Sequence, residues 1–339
     1  GELMFSTGTT SSGASGSISI GTGTASGGDG GDISIKVGDG STLDGGHISL
    51  FAGLTNADAD STGGSISMIS GYSTIRSSGT IIIRTLDSGD KGVSGELMFS
   101  TGTTSSGASG SISIGTGTAS GGYSGAIYVT VGTTGTNDKG GDITVEAGRT
   151  NGNADGGTIT IQSGHTDGTT TGDGGAINID AGHSAAKTGG SISIASGFGQ
   201  KMSSGSILIR TLDAGTKGVS GELMFSTGTT SSGSSGSISI GTGTASGGDG
   251  GDISIKVGDG STLDGGHISL FAGLTNADAD STGGSISMIS GYSTIRSSGT
   301  IIIRTLDSGD KGVSGELMFS TGTTSSGASG SISIGTGTA

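Results

Sequence analysis

The sequence predicts an all-β chain wound as a β-solenoid of stacked parallel strands. The repeat is 15–18 residues, and the expected coil holds two repeats. Three observations lead there: a glycine-bounded unit that recurs along the whole chain, strict alternation inside that unit, and the absence of proline from 339 residues. The unit reads glycine, then x-I-x-I-x-x-G, as in GSISIGTG at 16–23, GDISIKVG at 31–38 and GTITIQSG at 157–164. It opens at Gly1, Gly16, Gly31, Gly46, Gly64, Gly79 and Gly95 and continues at the same spacing to the end of the chain.

Alternation with a period of two is the signature of a strand with one face buried. The first two inward positions are large and apolar: Leu3 and Phe5, Ile18 and Ile20, Ile33 and Ile35, Ile48 and Leu50. The third is small or β-branched: Thr7, Thr22, Val37, Ala52, Ser70. Between these runs lie connections such as TASGGDG, rich in residues that turn a chain. One such strand cannot bury its apolar face alone, and stacking neighbours in register would build the core. Missing proline fits strand amides that all donate to a neighbour. An antiparallel meander also explains the alternation, but not the near-constant connections.

A longer period overlies the short one. Residues 1–119 recur at 221–339 with one difference, Ala14 against Ser234, and the phrase GELMFSTGTTSSG stands at 1, 95, 221 and 315. The chain divides into blocks 1–94, 95–220, 221–314 and a partial block 315–339, and the expectation is one continuous solenoid over 1–339. Its matching ends predict a fragment of a longer array. Segment endings run TG, TG, VG, AG, SG, TL in the short block, and the long block inserts one further AG–SG pair. Growth by pairs is the ground for two repeats per coil; one repeat per coil is the alternative.

Composition narrows the function. With 78 Gly, 3% aromatic and 12% charged residues, the chain is far from the ordinary globular mixture. Such composition usually reads as a linker or disordered segment. A mean hydropathy of +0.02 and apolar residues at fixed offsets argue for order instead. A formal net charge of −14 speaks against nucleic acid, which requires a basic stripe. No apolar run approaches the length of a membrane span. Cysteine is absent, so no disulfide framework exists.

Candidate sites are few. The loop LTNADADSTGG at 54–64 places Asn56, Asp58 and Asp60 at alternate positions, and oxygen ligands so spaced suit Ca²⁺. It lacks a bidentate closing Glu, so a solvated acidic turn is the favoured reading and no cofactor is expected. The run GGDGGDISI at 27–35 fails the register of a calcium nonapeptide. His165 and His183 stand in variable turns and read as surface histidines, and His47 and His267 take outward strand positions. Arg84, Arg210 and Arg304 each precede Thr-Leu-Asp, which predicts a salt bridge to Asp87, Asp213 and Asp307 fixing a longer turn. Nothing in these residues forms a catalytic constellation, so no enzyme activity is expected. None of the six asparagines lies in an N-x-Ser/Thr sequon. O-linked glycans on the Ser/Thr turns are chemically open.

The exception to the pattern is apolar character on the outer face. Ile82 and Met98 break the alternation at one block junction, and Leu208, Met224, Ile302 and Met318 repeat the break at the others. Phe51, Ile69 and Tyr128 are further outward apolar residues. Clustered exposed apolar groups mark contact surfaces. Here the cover is expected from the adjacent loop, Leu86 to Val93, or from a neighbouring copy.

The phrases GVSGELMFSTGTTSSGASGSISIGTG, from Gly92, and GGDISIKVGDG resemble repetitive Gly/Ser/Thr-rich surface proteins of microalgae such as diatoms. That resemblance implies an extracellular or cell-surface setting. Together these readings predict a structural protein: a fibre, surface appendage or matrix rod that self-associates end to end, with lateral contacts as a further option. The alternative is a binding rod, an adhesin or ice-binding surface, for which Thr7-Gly8-Thr9 and Thr22-Gly23-Thr24 supply only fragments of a regular array.

Overall fold

A computed structural model describes residues 1–56, 61–135, 138–167, 172–276 and 281–337. Among them there is no helix and no β-strand; the only regular features are bends and short turns between irregular segments. No described residue is buried. The expected all-β solenoid, with its stacked parallel strands and two-repeat coil, is therefore overturned, and the described residues form a coil. The isoleucines meant for the core lie open: Ile18 is 54% exposed and Ile20 75%. The accessible surface is 33917 Å². A folded protein of 32.0 kDa exposes only about 12,000 Å² and a fully unfolded one about 46,000 Å².

Composition explains why the alternation fails to make a sheet. Hydrophobic residues are 29% of the chain, so each apolar side chain must offset the ordering of more than three residues. Fixing one backbone costs about 1–2 kcal/mol, whereas burying an Ile or Leu gains about 1.5–3 kcal/mol. Glycine makes the imbalance worse, because it loses more backbone freedom on ordering than any other residue. The pattern is right for a strand, but the driving force per repeat is too small. Composition outweighs periodicity.

What the sequence does build is local closure of each connection. The glycine that opens a repeat returns to the small residue that ended the previous segment. A Cβ added at Gly16 would stand 3.3 Å from Thr7 Cβ, at Gly31 3.1 Å from Thr22 Cβ, and at Gly64 3.3 Å from Ala52 Cβ. The same approach recurs at Gly157 against Ala147, Gly190 against Ala181 and Gly284 against Ala272. A side chain on the glycine would push the two segments apart, which accounts for a glycine at each of these repeat starts, opposite a small or β-branched residue.

Two kinds of hydrogen bond close these connections. After Ala or Ser endings, and after Val37 and Val257, the two flanking glycines bond through the backbone: Gly64 N–H donates to Gly53 O at 2.7 Å, Gly79 to Gly71 at 2.8 Å, and Gly175 to Gly164 at 2.8 Å. After some Thr endings the hydroxyl takes over, Thr22 Oγ1 donating to Gly31 O at 2.8 Å and Thr242 Oγ1 to Gly251 O at 3.1 Å. The chain groups into two units, Gly1–Ala176 and Ile177–Ala339, and both contain such closures.

Repeated phrases adopt repeated turns. In TGTTSSG the Thr10 hydroxyl donates to Ser12 O at 2.7 Å and Gly13 follows at φ +92°; the copy at Thr230, Ser232 and Gly233 has 3.1 Å and φ +106°. A non-glycine residue in that left-handed region costs about 1–2 kcal/mol. Gly233→Val is accordingly expected to open this turn, moving the Thr230 and Ser232 carbon chemical shifts to coil values. Ser234, which differs from Ala14, makes these resonances separable from those of the first copy. Unchanged shifts would mean that the turn does not depend on positive φ.

Candidate contact surface

The block junctions carry the densest run of exposed apolar side chains. Ile81, Ile82 and Ile83 are 50%, 76% and 49% exposed, and Leu97, Met98 and Phe99 are 49%, 69% and 64% exposed. Leu208, Met224, Ile302 and Met318 stand equally open. The adjacent loop does not cover them, since Leu86 is 73% and Val93 93% exposed. Outward and inward positions thus differ in degree alone. Both faces of each junction segment face solvent.

The turn beyond Leu86 is fixed differently from the sequence expectation. No ion pair joins Arg84 to Asp87, Arg210 to Asp213 or Arg304 to Asp307. Instead Ser88 Oγ donates to Gly92 O at 3.0 Å, and Gly92 N–H donates to Gly89 O at 3.3 Å. Ser308 and Gly312 repeat the arrangement at 3.2 Å. Exposed charges gain little from pairing in water, whereas a hydroxyl four residues from a glycine carbonyl closes the turn locally. Serine in Asp-Ser-Gly-Asp-Lys-Gly was the signal for it.

A second device missed from the sequence is Ser73, whose Oγ accepts from Ile75 N–H at 3.3 Å and Arg76 N–H at 2.9 Å; Ser293 does the same for Ile295 and Arg296. A serine hydroxyl that caps the next two or three amides is the common local competitor of regular structure. Ion pairs among the described residues are short-range and exposed, as in Lys139–Asp142 at 2.8 Å and Lys36–Asp39 at 3.9 Å.

Of the calcium candidates, Asn56 is described and exposed, while Asp58 and Asp60 lie outside the described residues. His165 Nε2 stands 3.4 Å from Asp167 Oδ1, and both side chains are largely exposed. No group of three or more His, Cys, Asp or Glu converges among the described residues, and no cavity forms there. No described helix is long and apolar enough to cross a membrane. No protein-family model, curated protein or solved structure matches the chain.

Proposed function

We propose that this chain is a structural repeat protein of an extracellular fibre, cell-surface layer or matrix, and that it works by associating with further copies of itself. The observation that carries this reading is the exposed apolar side chain at regular intervals in every repeat, Ile18, Ile33, Ile48 and their successors, in a chain with no buried residue among those described. A sequence that cannot bury these groups alone gains by burying them against another molecule, because association removes the same apolar area from water. Tandem repetition supports it further. With residues 1–119 recurring at 221–339 but for Ala14 against Ser234, nearly every surface of the first copy is offered a second time by the same chain, and assembly can continue past a dimer.

Sedimentation and electron imaging over a concentration series test this. The expected result is a concentration above which large, elongated assemblies form from the purified chain with no other component. A chain that stays monomeric throughout, at physiological salt, would overturn the reading.

A further inference from the structure

We infer that self-association is seeded at three short segments, 80–85, 206–211 and 300–305, each pairing antiparallel with the like segment of a second copy. The inference rests on the self-association proposed above and names where it begins.

The segments read TIIIRT, SILIRT and TIIIRT. They differ from the other repeats in one respect. Most other repeats set serine, aspartate, asparagine or threonine between the apolar residues. Leu3-Met4-Phe5 with its copies and Ile127-Tyr128-Val129 also run apolar without a break but include an aromatic ring, and only here are three consecutive residues aliphatic. Ile82 is 76% exposed between neighbours at 50% and 49%, and Ile302 is 76% exposed between neighbours at 51% and 49%. Leu208, at 75%, sits between Ile207 and Ile209 at 51% and 54%. The backbone amides and carbonyls of Ile81, Ile82 and Ile83 form no hydrogen bond within the chain. An unpaired row of backbone groups beneath β-branched side chains on both faces is a template for another chain. Six-residue segments of this kind, without proline or glycine, are those that pair between identical molecules.

The arginine decides the orientation. In a parallel, in-register pair Arg84 would lie about 4.8 Å from the partner's Arg84, a like-charge contact that destabilises. Antiparallel pairing centred on Ile82 sets Arg84 opposite Thr80 and Ile81 opposite Ile83. Centring on Leu208 sets Arg210 opposite Ser206, and centring on Ile302 sets Arg304 opposite Thr300. All three segments reach the same solution, so any one of them can pair with any other. Three such segments per chain let one copy engage at least two others, which is enough for growth to continue past a dimer.

The test compares two full-length variants with the unaltered chain by light scattering and sedimentation. One carries Ile82→Lys, Leu208→Lys and Ile302→Lys. The other carries Ile18→Lys, Ile112→Lys and Ile238→Lys, which stand in repeats of the ordinary pattern. No core exists among the described residues for either to disrupt. The junction variant is expected to raise the concentration at which assembly begins by roughly tenfold or more, and the other to raise it by less than about threefold. Equal effects would overturn the seeding role of the junctions while leaving self-association intact. Absence of assembly in the unaltered chain would instead remove the reading on which the inference rests. Orientation is read separately. Arg84→Gln, Arg210→Gln and Arg304→Gln together should change the onset less than twofold for antiparallel pairing, and a marked acceleration would show that the pairing is parallel.

Discussion

Heated as a dilute monomer, the chain is expected to show no cooperative unfolding transition by calorimetry and no sheet or helix signature by far-ultraviolet circular dichroism. Cooperative melting needs a core whose parts are lost together, and no described residue is buried. The heat-capacity step of unfolding follows from newly exposed apolar surface and amounts to roughly 12–15 cal/mol/K per residue in a globular domain. Here most of that surface is already in water. The local bonds that remain, such as Gly79 N–H to Gly71 O and Thr22 Oγ1 to Gly31 O, each close a connection of a few residues and open independently of one another. A gradual, linear change with temperature is the predicted trace. Limited proteolysis offers the parallel check: cleavage after Lys and Arg should be rapid at every site, from Lys36 to Lys311, without a protected fragment. A sharp melting transition, or a resistant fragment of several repeats, would mean that the monomer holds a core and that the coil description fails.

The sequence made the repeat unit, its boundaries and its turn residues legible, and the structure uses those same residues. The glycine at each repeat start and the small residue ahead of it meet at the junctions, and the pairing of Ala52 with Gly64 or Thr22 with Gly31 is what the recurring AG and TG endings encode. The fold class was not legible from the alternation, because a period of two states which side a side chain would take once a strand exists. It carries no information on whether the strand is stable. That depends on apolar area set against backbone entropy, and with 78 glycines the entropy term dominates. The composition that suggested a linker was the better guide to the isolated chain.

The junction residues caught the eye for a different reason, while their exposure does not set them apart, since Ile20 and Ile35 are 75% exposed as well. Ile82, Met98, Leu208, Met224, Ile302 and Met318 stood out as departures from a rule, and departures can be recognised without knowing the fold. Their expected cover by the loop from Leu86 to Val93 was not found, because it presumed a rod against which a loop could lie. The salt bridge expected between Arg84 and Asp87 failed on energetic grounds. Both groups are fully hydrated in a coil, and an exposed pair has little to gain from holding two side chains together. Serine and threonine hydroxyls, which bond to backbone a few residues away at little entropic cost, fix the turns instead.

Added salt should promote assembly rather than dissolve it. The chain carries 28 acidic against 14 basic residues, a formal charge of −14, so two copies repel before their apolar segments meet. Raising ionic strength from 0.01 M to 1 M shortens the screening length from about 30 Å to about 3 Å. It removes most of that repulsion while leaving apolar contacts unweakened. The expected result, by light scattering in sodium chloride, is a fall of about tenfold or more in the concentration at which assembly begins. The sign separates two mechanisms. If the copies were held by opposed charges, such as Lys36 and Lys139 of one on the acidic turns of another, salt would screen the attraction and the assemblies would disperse. Assemblies that dissolve on addition of salt would therefore place the contact in the charged turns and not in the aliphatic junctions. Sodium sulfate sharpens the comparison, since it strengthens apolar association beyond its ionic strength. At matched ionic strength it should lower the onset further than chloride does, and equal effects would leave screening alone as the cause.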